Sequence, residues 1–296
     1  MLRSRPILML LALLGLAACS PTTSLAPSAQ PTPGGSASVT PGPTDATSPA
    51  ATPGASSAAT TTVRAYFVLG SHTGDGGLVP VLREVPQTLA VGAAAMSALF
   101  AGPNPQELGA DPAMYTSITT GMRSLGLSID AGVATANVSA DFAVGSDLDV
   151  RGRFAQVVYT LTQFPTITGV RFLLDGVPPK TAFIGTFTRA DYTDLLPAIW
   201  VDQPAWGGDL TSPARITGLA NVFEGQFHVE ILDATGHSLG DQPVHASCGT
   251  GCWGTFDVTI PVTIATAQAG TLRVYDTSEQ GGARQHVVDY PVTLTP

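Results

Sequence analysis

Lysine is nearly missing from this sequence. Among 296 residues there is one, Lys180; Lys and Arg together number 13 against 22 Asp and Glu, for a net charge of −9. No basic stripe exists to displace counterions from phosphates, which argues against nucleic acid as a partner. Excess negative charge also repels anionic headgroups, so electrostatics would not hold the chain on a membrane. Cysteine is scarce: Cys19, Cys248 and Cys252 are the three. Long apolar runs are missing beyond residues 7–16, so no second segment approaches the length of a spanning helix. Several signatures of chemistry are absent too. No Gly-x-Ser-x-Gly elbow occurs. Gly74-Asp75-Gly76-Gly77 lacks the Lys-Ser/Thr of a phosphate loop and reads as a hairpin turn. Asp147-x-Asp149 lacks the glycine and distal glutamate of a calcium loop and reads as a helix cap. No cofactor or metal is expected.

What is present begins with an export signal. Arg3 and Arg5 precede the apolar run 7–16, and Leu16-Ala17-Ala18 lead into Cys19. Small residues before Cys resemble the lipobox of bacterial lipoproteins. That resemblance implies a signal peptide over 1–18 and acylation of Cys19, which would anchor the chain to membrane lipid outside the cytoplasm. The alternative is an ordinary secreted protein cut at an Ala-x-Ala-like site. Loss of Arg3 and Arg5 with the signal would take the charge from −9 to −11. Two or more acyl chains, at about 0.8 kcal/mol per buried methylene, would hold what charge cannot.

Residues 19–62 form a Pro/Ser/Thr/Ala-rich stretch with one charge, Asp45, over 20–62. It cannot bury enough apolar surface to offset its ordering entropy, so a disordered tether is expected. Its reach is on the order of 130 Å extended and ~35–40 Å as a coil.

Export makes Cys248 and Cys252, separated by Gly249-Thr250-Gly251, read as a local disulfide. Free thiols, or a metal site with His245, are the alternatives. The metal reading lacks a second Cys/His pair to complete four ligands.

Residues 63–177 mix strands and helices. Strands are expected at 64–69, 78–83 and 170–174, with a hairpin about Asp130-Ala131-Gly132. One helix is expected over 87–101, with Leu89, Ala93, Met96 and Phe100 as its buried stripe. A second is expected over 150–164, with Phe154, Val157, Val158, Leu161 and Phe164 inside. This predicts an α+β domain with a mixed sheet and two helices. Tyr66-Phe67, Leu78-Val79-Pro80-Val81 with Arg83, residues 99–103, the Asp130-Ala131-Gly132 hairpin and Thr160-Leu161-Thr162-Gln163-Phe164-Pro165 together resemble the GerMN domain of bacterial sporulation and germination lipoproteins.

Residues 178–212, with Trp200 and Trp206, read as a connector. From 213 to 296 apolar and polar residues alternate in short runs separated by turns, which predicts an all-β sandwich of about seven strands. Gly218, Asn221-Val222-Phe223-Glu224, Val229-Glu230-Ile231-Leu232-Asp233, Cys252-Trp253-Gly254-Thr255-Phe256 and Tyr275 with Gly281 resemble the immunoglobulin-like domain of spore-germination proteins, the Gmad family.

Catalytic candidates are few. His228 alternates with Phe227 and Val229 and is expected on a wet face with Glu230; His286 is placed similarly. His237 and His245 fall near turns, and His72 adjoins Ser71 in a loop. Adjacent residues rarely aim at each other, so none makes a convincing base for a nucleophile. The two resemblances imply a non-enzymatic binding or scaffolding lipoprotein whose partners are envelope proteins or wall components, in an envelope, sporulation or germination-related assembly. The alternatives are solute or polysaccharide binding in an interdomain cleft lined by Trp200 and Trp206, and a cryptic hydrolase.

Overall fold

The computed structural model describes residues 59–72 and 76–296. Cys19, the signal 1–18 and nearly all of the tether lie outside the described residues, as do Gly74 and Asp75 of the expected turn. The tether reading runs slightly too far, because Thr60–Leu69 (β1) already pairs from Thr60 with Gly77–Pro86 (β2). Three consecutive threonines suit a pleated strand, and composition alone hid this.

Both domains keep the expected classes. In the first, β1 lies between β2 and the two-residue Met114–Tyr115 (β3). A second three-stranded sheet holds Ser124–Asp130 (β4), Val133–Val138 (β5) and Gly169–Leu174 (β6). The β4–β5 pair is antiparallel and β5–β6 parallel. The strands therefore divide into two sheets, of which the second is mixed.

Helix Val91–Ala101 (α1) starts later than expected and buries Gly92, Ala95, Met96 and Leu99. Its expected stripe is rotated: Leu89 precedes the helix and is fully exposed, and Ala93 is exposed. An Ala-rich helix gives periodicity little contrast to read. A short helix, Pro105–Leu108 (α2), escaped the reading of the sequence altogether. Asn104 and Glu107 form its capping box, and Glu107 accepts two hydrogen bonds from Arg83 at 2.7 and 2.6 Å.

Asp147–Leu161 (α3) is the central helix, buried almost all round from Gly152 to Leu161. Its N-cap is Ser146, not Asp147 or Asp149, which occupy the first turn. Its polar residues are also inside. Buried Gln156 donates to the Tyr66 carbonyl at 2.8 Å and accepts from the Ser117 amide at 3.0 Å. Buried Arg153 donates to the carbonyls of Ser117, Phe142 and Val144. Gln156 and Arg153 are thus matched, which is what permits them inside.

The second domain is a sandwich. One sheet holds Asp209–Thr211 (β8), Gln226–Leu232 (β10), Ser238–His245 (β11), Gln268–Thr277 (β13) and Arg284–Thr295 (β14). The other holds Ile199–Gln203 (β7), Ala214–Ala220 (β9) and Gly254–Ile260 (β12). Phe227 and Phe256 meet edge to face across the layers, centroids 4.9 Å apart. The connector reading 178–212 therefore needs correction: β7 and β8 belong to the sandwich. Ile199-Trp200-Val201 is a continuous buried run, so no alternation marked it as a strand.

Candidate functional site

The two tryptophans proposed for a cleft are both buried, at 3% and 8% exposure. Trp200 meets the Tyr159 ring edge to face at 5.8 Å. The Trp206 amide donates to the Pro80 carbonyl of β2 at 2.9 Å, and its ring lies against Tyr290. Trp200 is spent on packing against the first domain, whereas Trp206 borders a pocket of about 400 Å³ between the domains with Gln106, Asp111, Thr271 and Asp289; Trp200 does not line it, so the pair does not wall one cleft.

Arg189, in a 3-10 turn between the domains, organises that junction. It donates to Tyr66 Oη and Thr162 Oγ1 at 2.9 Å each and to the Tyr159 carbonyl at 3.2 Å. Its guanidinium lies 5.0 to 5.9 Å from the Tyr66, Tyr159 and Trp200 ring centroids. Asp202 of β7 accepts from Arg64 at 3.2 Å and from Tyr66 at 3.4 Å. Burial raises the Tyr66 phenol above its ordinary range, opposed by Arg189. Gly77, with φ +151°, completes the seam: a Cβ there would lie 2.6 Å from the Pro197 nitrogen. Reading the sequence missed Arg189 and Asp202, because Arg189, the single arginine of 178–212, carries no local signal of the rings it will meet.

Among the histidines, His72 departs most from expectation. It is buried and pairs with Ser117, not its neighbour Ser71: Nε2 lies 2.9 Å from Ser117 Oγ. Burial lowers its pKa, with Asp149 opposing. Nδ1 has no hydrogen-bond partner, and Ser117 is itself buried. A serine–histidine contact without an orienting group on the far nitrogen, and without access for a substrate, lacks two requirements of an activated nucleophile.

A cluster of polar contacts lies on β10, β11, β13 and β14. His228 Nδ1 is 2.9 Å from Asp241 Oδ1, while Tyr275 donates to Asp241 Oδ2 at 2.9 Å and stacks on the His228 ring. Desolvation and the Asp241 hydrogen bond raise the Tyr275 phenol. Glu230 is not wet as expected: Arg284 covers it, donating at 3.0 Å and lying over Tyr275 at 4.0 Å. Arg273 forms a two-pronged pair with Asp289, and Asp276 holds His286 and Gln285. Each of these carboxylates is occupied by a donor, so the face is a set of fixed donors and acceptors. His237 and His245 are exposed.

Cys248 and Cys252 are bonded to each other, Cα atoms 5.9 Å apart, which spends both sulfurs. Gly249 packs directly on Gly225, and half-buried Trp253 rests on the sandwich core. Among the described residues no group of three or more His, Cys, Asp or Glu is placed to hold a metal ion.

These features define a two-domain protein, a small α+β domain joined firmly to an immunoglobulin-like sandwich. Comparison with known proteins shows what each domain is similar to. Residues 64–180 match the family described as sporulation and spore germination, and residues 198–283 match the immunoglobulin-like domain of bacterial spore germination. The two matches follow one another along the chain, in that order. Among solved structures it is similar to the tandem GerMN domains of the sporulation protein GerM from Bacillus subtilis, at 19% identity and TM-score 0.35, covering 47% of this chain and 48% of that one. It thus spans about half the length of that relative. It is also similar to the first GerMN domain of the same protein, at 18% identity and TM-score 0.34, covering 43% of this chain and 92% of that one. No protein with a curated description matches the chain.

Proposed function

We propose that the chain is a lipid-anchored extracytoplasmic protein that works by binding. In this reading its two domains form one docking body for envelope proteins or wall components, in a sporulation- or germination-related assembly, and it turns over no substrate. The observation that carries the reading is the packed junction around Arg189. Asp202 and Trp200 of β7 tie the sandwich to Arg64, Tyr66 and Arg189, which holds two unlike surfaces in fixed relation, as a scaffold requires. The occupied carboxylates on the sandwich face add pre-set recognition groups. The anchor rests on Cys19 and the signal-like residues before it.

Fractionation tests the anchor: Cys19→Ser should release the product to the medium or block its processing, and unchanged membrane retention would contradict the reading. Cross-linking capture from the native envelope tests the docking role. Retention of a defined protein or wall fragment supports it, whereas capture of small sugars or peptides alone would move the assignment to solute binding. Turnover of any compound by the purified chain, abolished by one substitution, would make it an enzyme.

A further inference from the structure

Exposed apolar side chains concentrate around β4. Leu125 is 42% and Ile129 52% exposed, Leu127 between them is half-buried, and Leu89 stands beside them in full contact with solvent. With Val91, Phe164 and Ile167, the residues Leu89, Leu127 and Ile129 line an open groove of about 310 Å³. β4 is also an outer strand. β5 satisfies one side of its backbone, and no described strand satisfies the other.

Edges of this kind invite pairing, and proteins guard them with charge, proline or a covering segment. The other long edges here are guarded. β2 carries Pro80, Arg83, Glu84 and Pro86, and Trp206 bridges it. β11 carries Asp241 and Pro243, and β12 carries Asp257. β6 carries Arg171 and is bridged by Phe187 and Val177. β4 reads Ser-Leu-Gly-Leu-Ser-Ile before its single charge, Asp130, at the last position, and its one guarding device is a bulge at its start, between Ser124 and Gly126.

The charges flanking β4 select a partner. Arg123 lies just before the strand and Asp130 closes it; both are exposed, and neither belongs to an ion pair among the described residues. We propose that the occupant of this edge is a second copy of the chain, paired antiparallel along β4 about Leu127, so that two three-stranded sheets become one. The bulge between Ser124 and Gly126 shifts the register by one, so antiparallel pairing about Leu127 sets Arg123 beside the partner's Asp130 at both ends, whereas parallel pairing would set like charges together. Directly opposed residues in an antiparallel pair share a face, so Leu127 and Ile129 of both copies join one apolar stripe. Leu89 and Phe164 then wall a shared groove in place of an open one. The contact is isologous and closes at two copies.

Sedimentation of the full chain in a nonionic detergent, over a wide concentration range, tests this. A reversible dimer is expected. Ile129→Lys should leave a monomer with unchanged circular dichroism and thermal midpoint. Arg123→Asp alone should weaken the dimer by about tenfold or more, and adding Asp130→Arg to it should restore association, because the swapped charges again meet their opposites. The swap involves only exposed side chains, so it decides the matter even where Ile129→Lys fails to fold. A chain that stays monomeric at every concentration, or a dimer indifferent to the swap, would overturn the proposal. Protection of β4 amides only when a foreign protein is added would also overturn it and assign the edge to that protein.

Discussion

Replacing Arg189 by alanine should loosen the molecule at one identifiable seam. The side chain makes three hydrogen bonds, to Tyr66 Oη, Thr162 Oγ1 and the Tyr159 carbonyl, and stands near three aromatic rings. Hydrogen bonds from a charged donor contribute roughly 1.5–3 kcal/mol each when buried. Cation–π contacts add about 0.5–2 kcal/mol. The side chain keeps 29% of its exposure, so these figures must be discounted for solvent. A net loss of about 3–4 kcal/mol is expected, near the lower end for breaking a buried charged network. Arg189→Lys should recover part of it, because lysine keeps the charge and loses the planar fork. Urea denaturation followed through Trp200 and Trp206 is the assay, since both rings sit at the seam. The native chain should unfold in one transition and the alanine variant in two, as the domains separate first. The exposed Arg215–Asp257 pair provides the control, and Arg215→Ala should leave the midpoint unmoved. An Arg189→Ala variant within about 1 kcal/mol of the parent, still unfolding in one step, would refute the assignment of coupling to this residue.

His72 gives a pH prediction. Its folded pKa lies below the ordinary 6.5, so the unfolded chain binds the extra proton first as acidity rises. Its contribution is fully present above that value and is lost as pH falls toward the folded pKa. The thermal midpoint should therefore drop more steeply below about pH 6.5 in the parent than in His72→Gln; parallel profiles would contradict this. Gly152→Ala should destabilise by about 1–3 kcal/mol despite alanine's better helix propensity, because its Cβ would lie 2.6 Å from His72 Cε1 and 2.8 Å from Ser117 Oγ; calorimetry showing a gain would count against the packing described. Cys248→Ser with Cys252→Ser should cost about 2 kcal/mol, since the closed loop is short, and a reductant should lower the parent's midpoint by the same amount; an unchanged midpoint would make the bond dispensable.

Local signals in the chain were enough for the class of each domain. Alternation marked β10, β12 and β13, and the hairpin of β4 and β5 announced itself through Asp130-Ala131-Gly132. Spacing brought Cys248 and Cys252 within reach of each other. These features depend on neighbours a few residues apart, where periodicity and turn chemistry operate. What tertiary structure alone decided lies across long separations. Arg189 meets Tyr66 from 123 residues away, and Asp202 meets Tyr66 from 136. Trp200 and Trp206 look alike in sequence whether they face a ligand or a neighbouring domain. His72 looked like a loop residue until α3 brought Gly152 against it. Burial and partner choice are properties of the packed whole, and a linear pattern registers only the side chain, not the surface that comes to cover it.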